Sequence, residues 1–296
     1  GVYEQKILQC EDHPTIVDAV KAYVDGLNGA KPKRAAFAIA GPVGGDYFEM
    51  TNHLWKFSIE ETRRTLGLDQ FELMNDFKAI ALGVPHLQDK DIKQVGGAQT
   101  RDAHGPIGII GPGTGLGVAS LFWAGGQYHA VPGEGGHVTM AARTQREFDL
   151  IRTLRYKYHH ISAERVCSGK GLVNLYDAIR RLDGHDDLPA RTAEQISDAA
   201  IKQSCKVCEE ALDKMMGFLG NVAGNLAVTL GAKGGIYIAG GIPAKLGEYF
   251  FNSRFRADFE AKGRYETYLK PIPTYLITHP NIALVGLQHT VTNGSA

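Results

Sequence analysis

Apolar residues in the first part of the chain follow helical spacing in one stretch and form short, strand-like runs in others. Residues 15–27 carry five apolar side chains at helical spacing, which predicts an amphipathic helix. The run AAFAIA at 35–40 stops at Gly41 and Pro42. This combination predicts a buried strand followed by a turn. The run FELM at 71–74 predicts a second strand.

The rest of the chain continues to alternate between strands and helices. Ser58 and Glu61 have the spacing of a capping box, which predicts the start of a helix. Several helices are expected between 144 and 232, and the last of them is apolar on more than one face, which is typical of a buried helix. A further apolar segment occupies 282–292. The remaining predicted strands lie at 107–110, 118–123, 128–132, 236–239 and 274–277. This alternation predicts an α/β fold.

The composition is that of an ordinary globular protein. The chain has 296 residues, of which 44% are apolar and 22% charged, and its formal net charge is zero. That length allows two lobes, because one hydrophobic core seldom serves more than about 250–300 residues. The balanced charge creates no field for nucleic acid or for an acidic membrane surface. The chain has no apolar run long enough for a membrane span and no signal-peptide pattern. We therefore expect a cytoplasmic protein without nucleic-acid or membrane partners.

Four cysteines are too few for a disulfide framework in a chain of this length, which also favours a reducing compartment. Cys205 and Cys208 form a CxxC sequence. A zinc site needs further ligands, and no second cysteine pair lies nearby. The surrounding stretch has helical character, so the favoured interpretation is two small apolar residues on one helix face.

Asn75 and Asp76 follow directly after the predicted strand at 71–74. Ligands of open α/β sheets collect at the carboxyl ends of strands, and a carboxylate there can accept a proton from a substrate hydroxyl. The alternative is that Asp76 caps the helix that begins at Phe77, since Asp is favoured at that position. Taken alone, the sequence around Asp76 favours the cap.

A glycine-rich segment, GPGTGLG, spans Gly111 to Gly117 after a predicted strand. Its backbone N–H groups can converge on an anion, and Thr114 adds a hydroxyl donor. No GK[ST] follows, so the segment is not a Walker A loop. The alternative is a tight hairpin, because the next residues again have strand character.

Three further segments carry candidate ligand-binding groups. In PGEGGH at 132–137, Glu134 and His137 can bind hydroxyl pairs; a zinc site lacks a third ligand, and a plain surface loop is the other alternative. Glu164 lies in SAERVCSG, where an exposed first-turn Glu is the simpler interpretation. Gly240 and Gly241 end a buried strand, which fits close approach to a flat ligand or an ordinary strand-to-helix turn.

The order of these segments is more specific than any one of them. The motifs are MTNHLW (50–55), ND (75–76), GPGTGLG (111–117), PGEGGH (132–137), SAERVCSG (162–169), GNLA (224–227) and IAGGI (238–242). In this order they resemble bacterial-type glucokinase, a family of the hexokinase, actin and Hsp70 superfamily, over essentially the whole chain. The cysteine-rich zinc motif of the related ROK kinases is absent from the sequence, so the resemblance is to the non-ROK branch.

The resemblance implies a two-lobed actin-like ATPase (ribonuclease H-like) fold with the active site in the interdomain cleft. It implies a small α/β domain, 1–86 with 278–296, and a large α/β domain, 87–277. The implied activity is ATP-dependent phosphorylation of glucose at the 6-hydroxyl, a step of glycolysis, by a cytoplasmic homodimer that uses Mg²⁺. The family begins with a DxGGTN-type phosphate loop, and we expect residues before Gly1 to supply it.

The resemblance also implies a role for each candidate residue. Asp76 becomes the general base, and glycines contact the nucleotide, while no protein side chain is assigned to a metal. The sugar hydroxyls are assigned to Asn75, Glu134, His137 and Glu164. The ATP-binding set is Gly111, Gly113, Thr114, Gly115, Gly117, Gly240 and Gly241. Two alternatives are a non-catalytic sugar-binding or regulatory relative and a kinase of another hexose.

Overall fold

The computed structural model describes residues 3–27, 29, 31–41, 43–50 and 54–293. The chain divides into two compact units, with Gly1–Leu87 and His279–Ala296 in unit 1 and Gln88–Thr278 in unit 2. These boundaries differ by one residue from the division expected from the sequence, and the assignment of domains to the two units stays a prediction. Residues 51–53 of the MTNHLW motif and Pro42 of the first predicted turn lie outside the described residues.

Unit 1 contains short strands and four helices among its described residues. Its helices are α1 (Ile16–Val24), α2 (Ile59–Thr65), α3 (Asp76–Gly83) and α12 (Ile282–Asn293), and its strands are β1 (Arg34–Ile39), β2 (Tyr47–Glu49), β3 (Lys56–Ser58) and β4 (Gln70–Asn75). Thr15 and Ser58 cap α1 and α2 through their side-chain oxygens, so both helix predictions are confirmed. Phe48, Phe57 and Phe71 lie in the core of this unit.

The sheet of unit 1 that carries the candidate base is a parallel pair. β1 pairs with β4, and Ile39 lies opposite Asn75 at the carboxyl ends of both strands. Helix α3 starts at this edge and crosses α12 closely. A Cβ on Gly286 would lie 1.9 Å from the Ala79 carbonyl oxygen, so only glycine fits that crossing. The close crossing holds α3, and with it Asp76, against the sheet.

Unit 2 contains a larger sheet covered by helices. Its strands are β5 (Ile92–Gly96), β6 (Ile107–Pro112), β7 (Leu116–Ala124), β8 (Gln127–Gly133), β9 (Gly235–Ile238) and β10 (Thr274–Ile277). Its helices are α4 (Gln145–Leu154), α5 (Gly169–Asp183), α6 (Ala193–Ile201), α7 (Lys206–Leu230), α8 (Gly241–Leu246), α9 (Glu248–Phe251), α10 (Phe255–Glu260) and α11 (Glu266–Leu269).

The strand order in this sheet is β5-β10-β9-β6-β7-β8 among the described residues. β6, β9 and β10 run parallel, whereas β7 and β8 form antiparallel hairpins and β5 is an antiparallel edge strand. The five strands expected in this unit are all present, and β5 is an additional one. The parallel arrangement brings the carboxyl ends of β6 and β9 to one edge.

Helix α7 is buried along much of its length, as its apolar faces predict. Met215, Met216, Phe218 and Leu219 are all inaccessible to solvent. A Cβ on Gly220 would lie 2.1 Å from the Phe255 carbonyl oxygen, so α10 approaches α7 at a glycine. The part of the chain that the structure describes has no helix with both the length and the apolar character needed to cross a membrane.

Candidate active site

Asn75 caps helix α3 at the carboxyl edge of the β1–β4 pair. Its Oδ1 accepts hydrogen bonds from the backbone N–H groups of Phe77 (2.9 Å) and Lys78 (3.1 Å). Its Nδ2 donates to the Gly41 carbonyl oxygen at 3.2 Å. An amide nitrogen carries two N–H groups, so one remains for a ligand after these local bonds.

Asp76 is the first residue of α3 and not its cap, so the capping interpretation of Asp76 is wrong because Asn75 occupies that role. One carboxylate oxygen accepts from the Phe77 N–H at 2.8 Å. No side chain of the described residues forms a hydrogen bond or ion pair with this carboxylate. Burial raises the pKa of Asp76, and this effect outweighs the hydrogen bond from the Phe77 N–H, which lowers it. A half-buried carboxylate without a side-chain partner is suited to taking up a proton.

The glycine-rich segment forms the turn of the β6–β7 hairpin, as its alternative interpretation predicted. Gly111 pairs with Gly117 and Pro112 with Leu116, which leaves 113–115 as the turn. The Gly113 N–H donates to the Gly115 carbonyl at 2.8 Å. Thr114 is exposed at the tip of the turn. The hairpin geometry therefore presents this hydroxyl to solvent, where a ligand can reach it.

The double glycine after β9 lies beside that hairpin. The Ala239 N–H donates to the Ile110 carbonyl at 2.8 Å, which extends the pairing of β9 with β6. Gly240 has φ +89°, and a Cβ there would lie 2.5 Å from the Pro112 carbonyl oxygen. Both the backbone conformation and the close approach require glycine at this position. The structure thus brings 111–117 and 240–241 together at one edge of the sheet.

Glu134 precedes, and His137 ends, a short 3-10 helix, Gly135–His137, that packs against the start of β7. A Cβ on Gly136 would lie 2.0 Å from the Leu116 carbonyl oxygen. The two side chains are 63% and 60% exposed, and His137 Nε2 lies 3.9 Å from Glu134 Oε2. Glycines therefore set the position of the loop, while its polar side chains remain available to a ligand.

Glu164 links the hairpin to the SAERVCSG segment. Its Oε2 accepts a hydrogen bond from the Leu116 N–H at 3.0 Å. Oε2 would lie only 2.6 Å from a Cβ on Gly115. The Gly169 N–H donates to the Gly113 carbonyl at 2.9 Å, which ties the start of α5 to the same turn. Glu164 is therefore not an exposed first-turn residue but a half-buried contact of the glycine turn.

A pocket of about 350 Å³ in unit 2 lies next to these residues, and His137 and Glu164 line it. Sequence reasoning missed the four lining residues at 157–160. His160 Nε2 lies 2.9 Å from the His137 carbonyl oxygen. The basic and aromatic run RYKYHH at 155–160 was the signal that could have identified this wall of the pocket. A pocket of this volume suits a small polar ligand.

The site residues fall into two groups. Asn75 and Asp76 lie in unit 1, and the structure brings the other candidates together within unit 2. Within the described residues, no group of three or more His, Cys, Asp or Glu side chains is arranged to hold a metal ion. The second group therefore offers backbone N–H groups, hydroxyls and single carboxylates to a ligand.

Comparison with known proteins identifies the family. A family model described as Glucokinase matches residues 2–294. The chain is 48% identical over 289 residues to a glucokinase of Paramagnetospirillum magneticum, covering 97% of this chain and 89% of the relative. It is 49% identical over 294 residues to a glucokinase of Aromatoleum aromaticum, covering 98% and 88%.

A solved structure supports the same assignment. The crystal structure of a glucokinase from an Antarctic psychrotroph matches with a TM-score of 0.87 at 34% identity, and the match covers 96% of this chain and 87% of that one. The expected α/β fold of the actin-like ATPase class is confirmed. Together with the family model, these matches show that the chain belongs to the glucokinase family.

Proposed function

We propose that this chain transfers the terminal phosphoryl group of ATP to the 6-hydroxyl of glucose, with Asp76 as the base. The chain is an enzyme of the glucokinase family, and ATP-dependent glucose phosphorylation is the activity of that family. The observation that carries the assignment of the base is the Asp76 carboxylate. It is half-buried at the start of α3, and burial raises its pKa.

The proposed reaction needs one proton acceptor. The oxygen of the 6-hydroxyl forms a bond to the terminal phosphorus of ATP, and its proton passes to the Asp76 carboxylate. The bond between that phosphorus and the bridging oxygen breaks, and ADP leaves. Catalysis of phosphoryl transfer rests mainly on positioning and charge stabilisation, so a fixed carboxylate is the main side-chain chemistry required.

Asn75, Glu134, His137 and Glu164 are proposed to hold the sugar hydroxyls. Asn75 retains one amide N–H after its two local roles, and it can donate that N–H without breaking the cap. The exposed Glu134 and His137 side chains offer an acceptor and a group that can accept or donate. Glu164 Oε1 stays available while Oε2 accepts from the Leu116 N–H.

The ATP phosphates are proposed to contact the turn from Gly111 to Gly117 with the Thr114 hydroxyl, and the adenosine to contact Gly240 and Gly241. The support is their shared edge of the sheet and the lack of side chains that would block a close approach. Mg²⁺ fits this site as an ion held largely by the phosphates, because Mg²⁺ commonly keeps its waters and binds one or two carboxylates. It supplies charge neutralisation of the phosphates.

The decisive experiment compares wild-type enzyme with Asp76→Asn. Phosphorus NMR of a mixture with ATP, Mg²⁺ and glucose identifies the phosphorylated carbon, and we expect glucose 6-phosphate and ADP in equal amounts. Asp76→Asn keeps the shape but removes the base, so kcat should fall roughly 10²–10⁴-fold while glucose binding changes little. Near-normal turnover in this variant would contradict the assignment of Asp76 as the base.

The matched control is Asp69→Asn, which removes an exposed carboxylate from the same unit. Its kcat should equal that of the wild type. Glucose binding without ADP release in the wild-type protein would instead favour a non-catalytic sugar-binding relative. Equal kcat/KM for glucose and galactose would favour a kinase of broader specificity, since a site that pairs each hydroxyl rejects an epimer strongly.

The family resemblance also supports a cytoplasmic homodimer as part of the proposal. Light scattering during gel filtration measures the mass in solution. A mass of one chain at micromolar concentration would contradict the dimer without affecting the proposed reaction.

A further inference from the structure

Cys205 and Cys208 lie at the amino end of α7 in different surroundings. Cys205 is the residue before the first helical turn, with extended backbone angles of φ −152° and ψ 113°, and its side chain is partly exposed. Cys208 lies in the first turn and is fully buried. As small apolar residues both pack at the core, Cys208 within it and Cys205 against it, but Cys205 does so from the position before the first turn and not from the helix face. The Cys205 thiol is therefore accessible to a reagent in solution, whereas the Cys208 thiol is not.

The groups around Cys205 favour a negative charge on its sulfur. The N–H groups of Val207 and Cys208 and the thiol of Cys208 act to lower the pKa of Cys205, although its side chain forms no capping hydrogen bond. Burial by itself raises the pKa of Cys205, but these donors and the nearby Arg191 guanidinium together lower it. Helix N-termini and cations are the surroundings in which cysteines become nucleophilic.

Arg191 carries, near this pair, a buried polar atom that lacks a partner within the described part of the chain. Its guanidinium is near enough to the Tyr176 hydroxyl and to both sulfur atoms for their charges to raise the pKa of Arg191. The Nε atom is buried and has no hydrogen-bond partner among the described residues. A buried N–H without an acceptor is costly. A thiolate on the neighbouring sulfur would provide a negative charge for this guanidinium, so Arg191 and Cys205 stabilise each other in the ionised state.

The groups around Cys208 disfavour a negative charge on its sulfur. Burial, followed by the neighbouring Cys205 sulfur and then the Glu209 carboxylate, raises the pKa of Cys208 to about 12. Glu209 Oε2 pairs with Lys206 at 2.9 Å, whereas its Oε1 is buried without a hydrogen-bond partner in the described part of the chain. The negative charge near Cys208 keeps this thiol protonated. The pair is thus polarised, with the nucleophilic sulfur outside and the protonated sulfur inside.

We propose that Cys205 and Cys208 form a reversible dithiol–disulfide site that reacts with small-molecule disulfides. The Cys205 thiolate attacks one sulfur of the small disulfide, a protein–ligand S–S bond forms, and one small thiolate leaves. Cys208 then loses its proton to that leaving thiolate or to water, attacks the Cys205 sulfur and releases the second small thiolate. The protein dithiol is oxidised, and one small disulfide is reduced to two thiols.

The first experiment needs no variant of the pair. The reduced, folded chain is treated with iodoacetamide at neutral pH, and peptide mass spectrometry follows each cysteine over time. Cys205 should be alkylated several-fold faster than Cys10, which is also partly exposed but lies elsewhere in the molecule. Arg191→Gln should slow Cys205 selectively, while the control Lys202→Gln, which removes an exposed cation of the same unit, should not.

The second experiment traps the intermediate with oxidised glutathione. Wild-type chain should yield the Cys205–Cys208 disulfide, and Cys208→Ala should stop at glutathione on Cys205 because the resolving thiol is absent. A reducing agent should convert both products back to the free thiols. Alkylation of Cys205 no faster than Cys10 in the wild type, or no Cys205–Cys208 disulfide after the glutathione treatment, overturns the proposal. Both wild-type measurements stand even if Cys208→Ala does not fold.

Discussion

The two groups of candidate residues are built in opposite ways. In unit 1, the proposed chemistry rests on one carboxylate, that of Asp76, whose position depends on the Asn75 cap and the start of α3. In unit 2, the candidate ligands stand on a cluster of turns that backbone contacts hold together. We call 111–117, 134–137 and 240–241 the glycine cluster, in which Gly136 and Gly240 each lie too close to a backbone carbonyl for any side chain.

This difference separates two kinds of sensitivity. A base works through its protonation state and position, so its replacement by an isosteric amide should cost rate and little stability. A cluster held by close backbone contact should lose stability and ligand affinity together when atoms are added. The side chains on the glycine cluster, such as Glu134 and His137, are largely exposed and add little to folding.

The largest effect on stability is expected for Gly136→Ala. The new Cβ would lie 2.0 Å from the Leu116 carbonyl oxygen, so the loop or β7 must move. Such overpacking typically costs about 1–3 kcal/mol of unfolding free energy. The KM for glucose should rise with it, because Glu134 and His137 move with the loop. Urea denaturation and steady-state kinetics measure the two effects.

Gly133→Ala is the matched control for that change. A Cβ at Gly133 meets nothing within 4 Å, so stability and KM should stay at wild-type values. Equal behaviour of the two variants would show that the close approach at Gly136 does not hold the loop.

Glu164→Ala should have the next largest effect. It removes the acceptor of the Leu116 N–H hydrogen bond, and Leu116 is buried. An unsatisfied buried donor costs about 1–3 kcal/mol. Glu164→Gln keeps an acceptor oxygen, so thermal denaturation should show a smaller loss than for the Ala variant. If both variants melt together, the hydrogen bond to Leu116 contributes nothing to the glycine cluster.

Asn75→Ala tests the unit 1 side of the comparison. Loss of the cap should cost about 1 kcal/mol of stability, and kcat should also fall because Asp76 follows the capped residue. Thr15→Ala removes the cap of α1, whose side chain accepts from the Asp18 N–H, and should cost a similar amount without changing kcat. A normal kcat in Asn75→Ala would separate the cap from the position of the base.

The smallest expected effect is the pH dependence that Asp76 gives to activity and to stability. Because burial raises the pKa of Asp76 above 3.8, kcat/KM should begin to fall at a higher pH than an exposed Asp would give as the solution is acidified. The folded state then binds the proton more tightly than the unfolded state, so wild type loses stability relative to Asp76→Asn as pH rises through that window. Denaturation of both proteins at several pH values measures this change. A gain in wild-type stability relative to Asp76→Asn as pH rises would contradict the prediction.

Much of the secondary structure and the candidate site residues were predictable from local sequence. The apolar runs located β1, β4, β6, β9 and β10 because a short apolar run between turn residues has few other folded forms. The candidate ligands were identified by their order along the chain, although each motif alone had an ordinary alternative. The strands β2, β3 and β5 were missed, since short or edge strands carry few apolar positions.

The sequence by itself determined the alternation of strands and helices, the family and the identity of the candidate base. Only the tertiary structure decided that Asn75, and not Asp76, caps α3, because either residue suits a cap and the backbone angles choose between them. It also decided that Glu164 accepts a hydrogen bond from the Leu116 N–H and that the Arg191 guanidinium comes near enough to Cys205 to lower the pKa of its thiol. Those contacts join residues far apart in the chain, and their burial and distances arise only when the core forms.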